Sequence, residues 1–216
     1  MIYDFNEFTE KHKSREETIV NAYRTLFNKE RLVGDYATLR ANQTDNNGAL
    51  SKGSELNQLL KEEFLTPEQF HGVDFDKETI DQNKQLNIAN WHCNDVYLFL
   101  TDNIKKYNFT AVNLDTVFYS KTKAANLLAD TLLLFTDNTS GECLVSLNVM
   151  INNSYETHTV DAELIEAEET KFVEELSKNY SYKCAVKDGG WVMDEKCYLY
   201  SSTNKTVMCT YLFYRK

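Results

Sequence analysis

Long hydrophobic runs are missing from this sequence. The longest candidate, Leu127–Phe135, is broken by Asp130 and Thr131 and falls far short of the roughly 20 apolar residues that a membrane-spanning helix needs. No membrane partner is therefore expected. Proline occurs once, at Pro67, and glycine seven times, which leaves no Pro- or Gly-rich linker, and no internal repeat is found. Basic charge is also scarce: 23 Lys and Arg stand against 33 Asp and Glu, a net charge of −10. That balance opposes broad attraction to nucleic acid, which relies on clustered cations. The acids are spread along the chain, so neither an acidic tail nor a DNA-like stripe is present. The five cysteines are odd in number and contain no C-x-x-C pair. Met1–Glu10 has neither the basic nor the apolar region of a secretory signal, and a reducing, cytoplasmic setting is expected. Metal chemistry has little support. His92 and Cys93 are adjacent, so on a strand they point to opposite faces, and His12, His71 and His158 lack a ligand-spaced partner. No metal is expected.

What the chain does have is material for a core. Its 216 residues are 42% hydrophobic and 12% aromatic, and a chain of this length buries about 70% of the surface its unfolded form exposes. Ser14-Arg15-Glu16-Glu17 is a capping box that opens a helix with Ile19, Tyr23, Leu26 and Phe27 on one face, and Gly34 suits its exit. Residues 1–34 are read as an N-terminal helical extension and 35–216 as the main domain. Tyr36–Ala41 reads as a strand, 42–53 as a polar loop, and Glu55–Phe64 as a helix capped by Ser54. Trp91–Cys93 is a short strand, Val96–Ile104 a helix, Phe109–Phe118 a strand and Lys121–Phe135 a helix rich in Ala and Leu. Glu142–Ile151 and Ala162–Asn179 follow as strand and helix. From Tyr180 the helical period fades. Tyr182–Val186, Lys196–Tyr200 and Val207–Tyr214 read as strands separated by turn residues, two of them joining the sheet antiparallel.

The central stretch is Gln69–Leu86, where an apolar run, Phe70 to Phe75, meets acid at Asp74 and Asp76 and passes at once into helical periodicity. In a parallel α/β sheet the carboxyl end of a strand faces a crevice, and a carboxylate there can accept hydrogen bonds from vicinal ribose hydroxyls. Asp74 occupies that position, while Asp76, just before the periodic run, is a helix N-cap. Acid- or amide-bearing strand ends then line up: Asn42 after the first strand, Asp74 after the second, Asp95 after the third and Asn113–Asp115 in the fourth.

Five β-α units, an antiparallel end and Gly72-Val73-Asp74 before a helix resemble the class I S-adenosylmethionine-dependent methyltransferases. The likeness implies an α/β fold, a three-layer Rossmann-like sandwich with a mostly parallel, seven-stranded sheet and an antiparallel C-terminal hairpin. It also implies S-adenosylmethionine as cofactor. Asp74 would hold the ribose and Phe75 would flank the adenine. Asp95 would accept from the adenine amino group, and Asn42 and Asn113 would complete the cofactor site. Asp115 would serve as base for an acceptor protonated at its reactive atom; the acceptor, whether nucleic acid, protein or small molecule, is left open. Where the family carries E/D-x-G-x-G in its first loop, this chain has Leu39-Arg40-Ala41-Asn42-Gln43-Thr44-Asp45, without glycine. A non-catalytic interaction protein on the same scaffold, with the cofactor site lost, is the alternative.

Overall fold

The computed structural model describes residues 16–39, 43–45, 47–115, 120–152, 162–194, 198–201 and 207–216. The strands are β1 (Asp35–Leu39), β2 (Phe70–Asp74), β3 (Asn90–Cys93), β4 (Phe109–Leu114), β5 (Cys143–Asn152), β6 (Val192–Met193), β7 (Tyr198–Ser201) and β8 (Val207–Arg215). They run in the order β3-β2-β1-β4-β5-β8-β6, with β7 also paired to β8. This is the expected Rossmann-like arrangement, mostly parallel with antiparallel C-terminal strands, and the two-residue β6 is an addition to the seven strands foreseen. The chain divides into two compact units, Met1–Asn113 and Leu114–Lys216.

In the first unit a π-helical turn, Glu16–Asn21, leads into α1 (Ala22–Phe27). Ser14 and Arg15 of the expected capping box lie outside the described residues. Ile19, Tyr23 and Phe27 are buried, as the periodicity requires. The helix ends not at Gly34 but at Asn28, whose φ of 53° is left-handed. Helix α2 (Glu55–Lys61) starts at Ser54, whose hydroxyl accepts from Asn57 N, and it buries Leu56 and Leu59. β1 pairs parallel with β2, and β2 with β3. The connection between the last two is α3 (Lys77–Lys84), capped by Asp76, and α4 (Val96–Asn103) follows β3. Parallel pairing with helical crossovers is what places the chain's apolar runs on two buried faces: Phe70, His71 and Val73 of β2 are all buried.

The second unit is built on α5 (Lys121–Asn138), which buries Ala124, Ala125, Leu128, Ala129, Leu132 and Phe135. This is the wide apolar girth that its Ala- and Leu-rich sequence demands. β5 pairs antiparallel with β8 from Cys143↔Arg215 to Asn152↔Val207. Of the three tail segments expected as strands, two are strands. The third is corrected: Tyr182–Val186 lies inside a helix, α7 (Tyr180–Gly189), which follows α6 (Ala162–Lys178) after one break at Asn179. The Asn179 side chain accepts from Tyr182 N, and Gly190, at φ 67°, closes the helix in left-handed geometry. A cap at one end and a φ-positive glycine at the other overrode the β-forming bias of Tyr and Val. Among the described residues no helix is long and apolar enough to cross a membrane.

Candidate cofactor site

Asp74 closes β2 opposite Cys93, the last residue of β3. The glycine two positions earlier is required by packing: a Cβ at Gly72 would lie 2.5 Å from Trp91 Cε3 on the neighbouring strand. The Asp74 backbone carbonyl accepts from Asn94 N at 3.0 Å. Its Oδ1 accepts from Asp76 N at 2.9 Å, an Asx turn of the kind that steers a chain into a helix. Asp76 does the capping itself, accepting from Glu78 N at 3.1 Å and from the Thr79 hydroxyl at 2.6 Å. The Thr79 hydrogen bond is the main reason its carboxyl titrates below the usual range. Asp95 stands at the matching place after β3, where its Oδ1 accepts from Tyr97 N at 2.8 Å and Leu98 N at 3.1 Å and so caps α4. Each of these two carboxylates thus spends one oxygen on local backbone. Among the described residues no donor reaches the other. Phe75, next to Asp74, is 83% exposed.

Asn42 lies outside the described residues. Its neighbour Gln43 is buried and organises the loop that lacks glycine. Gln43 N donates to Asn83 Oδ1 at 3.0 Å, and its side-chain Oε1 accepts from Leu56 N at 2.9 Å. Its carbonyl accepts from Ser51 N at 2.8 Å. Asp45 Oδ1 gathers Asn47 N at 2.8 Å and Ala49 N at 3.0 Å. Side-chain oxygens therefore satisfy backbone N–H groups, including one at the start of α2, that a helix terminus leaves free for a ligand.

Asn113 is buried in β4, and its Nδ2 donates to Glu55 Oε1 at 2.8 Å. Glu55 is 1% exposed. Its carboxylate also accepts from the Tyr36 hydroxyl and, at 3.1 Å, from the Thr38 hydroxyl. Three donors on β1 and β4 therefore compensate a charge that would otherwise be very costly to bury. The sequence reading missed Glu55, since an acid right after a helix cap looks solvated; only its burial and its hydrogen bonds to β1 and β4 show that it faces inward. In the second unit Asp115 is buried, with its Oδ1 accepting from Asn148 Nδ2 at 3.1 Å. The Thr210 hydroxyl donates to Asn148 Oδ1. The structure thus brings Asp74, Phe75 and Asp95 to one edge of β2 and β3, and ties Asn113 to β1 and α2 through Glu55.

A second pairing was also missed. His71, read as lacking a ligand-spaced partner, and His92, weighed only against its neighbour Cys93, face each other across β2 and β3 with Nδ1 and Nε2 3.1 Å apart. Asp35 Oδ1 is 3.5 Å from the other nitrogen of His71. Burial holds both imidazoles below their ordinary titration range, His92 at about 4. His71 sits two residues from Val73, the residue paired with His92, and this diagonal is invisible without the register. Among the described residues no three His, Cys, Asp or Glu side chains gather where they could hold a metal. Burial pushes the Cys143 thiol up to about 12, so it is an inert filler rather than a nucleophile. Cys209 is disulfide-bonded, which the odd cysteine count had not suggested.

No protein-family model and no curated protein sequence matches the chain. Solved structures do. The plantazolicin methyltransferase BpumL, in complex with a pentazolic desmethylPZN analog and SAH, superposes with a TM-score of 0.57 at 15% identity over 99% of this chain and 88% of its own. The plantazolicin methyltransferase BamL, with a triazolic analog and SAH, gives 0.52 at 16% identity over 99% and 88%. Magnesium protoporphyrin IX methyltransferase from Synechocystis, with bound SAM, gives 0.50 at 9% identity over 100% and 86%. At these identities the likeness is one of fold: the chain has the fold of S-adenosylmethionine-dependent methyltransferases.

Proposed function

We propose that the chain is an S-adenosylmethionine-dependent methyltransferase. The observation that carries the reading is the pair Asp74, which ends β2, and Asp95, two residues past the end of the parallel neighbour β3, each of which keeps an oxygen that no described donor reaches. Solved structures of this fold with SAH or SAM bound support it. The residues fit the cofactor in part. The remaining Asp74 oxygen accepts from ribose hydroxyls, that of Asp95 accepts from the adenine amine, and the exposed Phe75 ring packs on the purine. Asn113 acts through its bond to Glu55, and the role of Asn42 is carried over from the family resemblance. The cofactor supplies a methyl group activated by a sulfonium. The protein's share is to hold donor and acceptor in line and exclude water, with Asp115 taking a proton where the acceptor carries one.

A second reading, a non-catalytic interaction protein on this scaffold, is favoured by the Gln43 side chain seated on Leu56 N, a position where a ligand would otherwise be received. Thermal unfolding with and without SAH separates the two. A ligand that binds only the native state, at about 100 times its dissociation constant, adds roughly 2.7 kcal/mol. We expect that shift in the wild type and its near-complete loss in Asp74→Ala, with the ligand-free midpoint little changed. No shift in the wild type would leave the second reading. An unchanged shift in Asp74→Ala would move the ribose elsewhere.

A further inference from the structure

Strand β3 borders the sheet, and among the described strands it pairs with β2 alone, over the short ladder from Asn90 to Cys93. Side chains add to that ladder. The imidazoles of His71 and His92 meet through Nδ1 and Nε2 at 3.1 Å, with their rings 5.4 Å apart and nearly parallel at 12°. Tyr107 and Phe109 lie 4.3 and 5.3 Å from the His71 ring, and Phe99 lies 4.3 Å from that of His92. Water is thereby kept from His71, which is 1% exposed. Beyond the histidines the same strands run on to the candidate site: Asn94 N donates to the Asp74 carbonyl at 3.0 Å, and Asp95 follows. Loosening β3 therefore parts Asp95 from Asp74.

The protons of the pair can be placed. His71 Nε2 is buried with no hydrogen-bond partner, and its nearest charge is Asp35 Oδ1 at 3.5 Å. A lone pair turned toward a carboxylate would be repelled, so that nitrogen carries the proton. Nδ1 of His71 is then the acceptor and His92 Nε2 the donor. A further proton has two places to go. On the remaining nitrogen of His92 it puts a cation against Phe99, opposed by Lys106 and Lys84. On His71 Nδ1 it sets N–H against N–H and breaks the bridge. Asp35 from β1 favours charge on His71, Lys106 before β4 and Lys84 at the end of α3 oppose charge on the pair, and the Tyr107 phenol is the other titratable group beside it. Desolvation outweighs Asp35. Once β3 moves away, both rings meet water and each accepts one proton from it near its ordinary 6.5.

We propose that Asp35, His71 and His92 form a proton-operated latch on the edge strand β3, closed while both imidazoles are neutral and released as they take up protons, so that acid frees the edge that carries Asp74 and Asp95. The latch stands apart from methyl transfer; its link to the cofactor rests on the reading above. Amide hydrogen exchange at β3 in the ligand-free chain tests it, because protection corrected for intrinsic rates reports local opening. From about pH 7 to about pH 5, above the range where ordinary carboxylates titrate, β3 should lose protection about twentyfold per histidine, while β5 and β8 keep theirs. His92→Gln, whose amide can still donate to His71 Nδ1, should remove one of those factors. Equal losses in wild type and variant, or a loss that β5 and β8 share, would overturn the latch. Should the variant fail to fold, the contrast between β3 and β5 with β8 in the wild type still decides it. SAH at about 100 times its dissociation constant should raise β3 protection by about a hundredfold. SAH that raises the thermal midpoint yet leaves β3 exchange unchanged would overturn the link to the cofactor. An absence of any SAH binding would sink the cofactor reading, and the ligand-free rates would settle the latch by themselves.

Discussion

Gly72 sits at the strand position where a resemblance in sequence and a packing constraint coincide, and the constraint is the one the atoms display. Any side chain there would drive into the Trp91 ring, which is itself held by Nε1 donating to the Ile88 carbonyl at 2.7 Å. Overpacking of this kind costs about 1–3 kcal/mol. We expect Gly72→Ala to lower the urea midpoint by that measure, and Trp91→Leu to reduce the added cost in a double-mutant cycle. Additive losses would mean that the two positions do not press on each other. Glu55 shows the opposite case, a charge whose burial nothing in the sequence announced. Its three donors, Tyr36, Thr38 and Asn113, are far from it along the chain. Asp74 and Asp95 were legible because a strand end followed by a helix start leaves only a few places for an acid to stand.

The edge pair β2 and β3 is joined not only by backbone but by His71 and His92. Facing them are Asp35, Lys106 and Lys84, the last two opposing added positive charge and the first favouring it. Asp35 is held in place by Asn108 N at 2.9 Å. His92 titrates near 4 in the fold against 6.5 in its ordinary state. The unfolded chain therefore takes up the proton first, so this contribution to stability is intact above pH 6.5 and is lost as pH falls toward 4. Protonation would also set N–H against N–H in the bridge. The urea midpoint of the wild type should drop more steeply across that window than that of His92→Gln, in which the carboxylates titrate alike; parallel curves would remove the histidine from the account. Elements with strong periodicity, such as α5, could be read directly. Helix α7 could not, because Tyr180, Tyr182 and Val186 favour strands. Its evidence lay at its ends, in Asn179 and Gly190, where a cap and a left-handed residue outweighed composition.

At the scale of the molecule, a net charge of −10 means that acids repel across the surface more than the exposed ion pairs, such as Arg31 with Glu63 at 2.5 Å, can offset. Raising NaCl from about 0.05 to about 0.5 M shortens the screening length to a few ångströms, and the thermal midpoint should rise; a fall would mean that specific pairs outweigh the repulsion. The order of strands and helices was readable because apolar runs alternate with amphipathic ones. The stapling of the first loop by Gln43 was not, since it depends on Asn83 and Leu56, which approach only after α2 and α3 have packed. One strand also governs how the second unit can assemble. β8 lies between β5 on one edge and β6 and β7 on the other, yet it follows all three in the chain. During synthesis β5 must therefore wait, its ladder unfilled, until the ribosome has released β8. A stall or premature stop after Ser201 would leave that strand's hydrogen bonds open to a neighbouring polypeptide and invite aggregation.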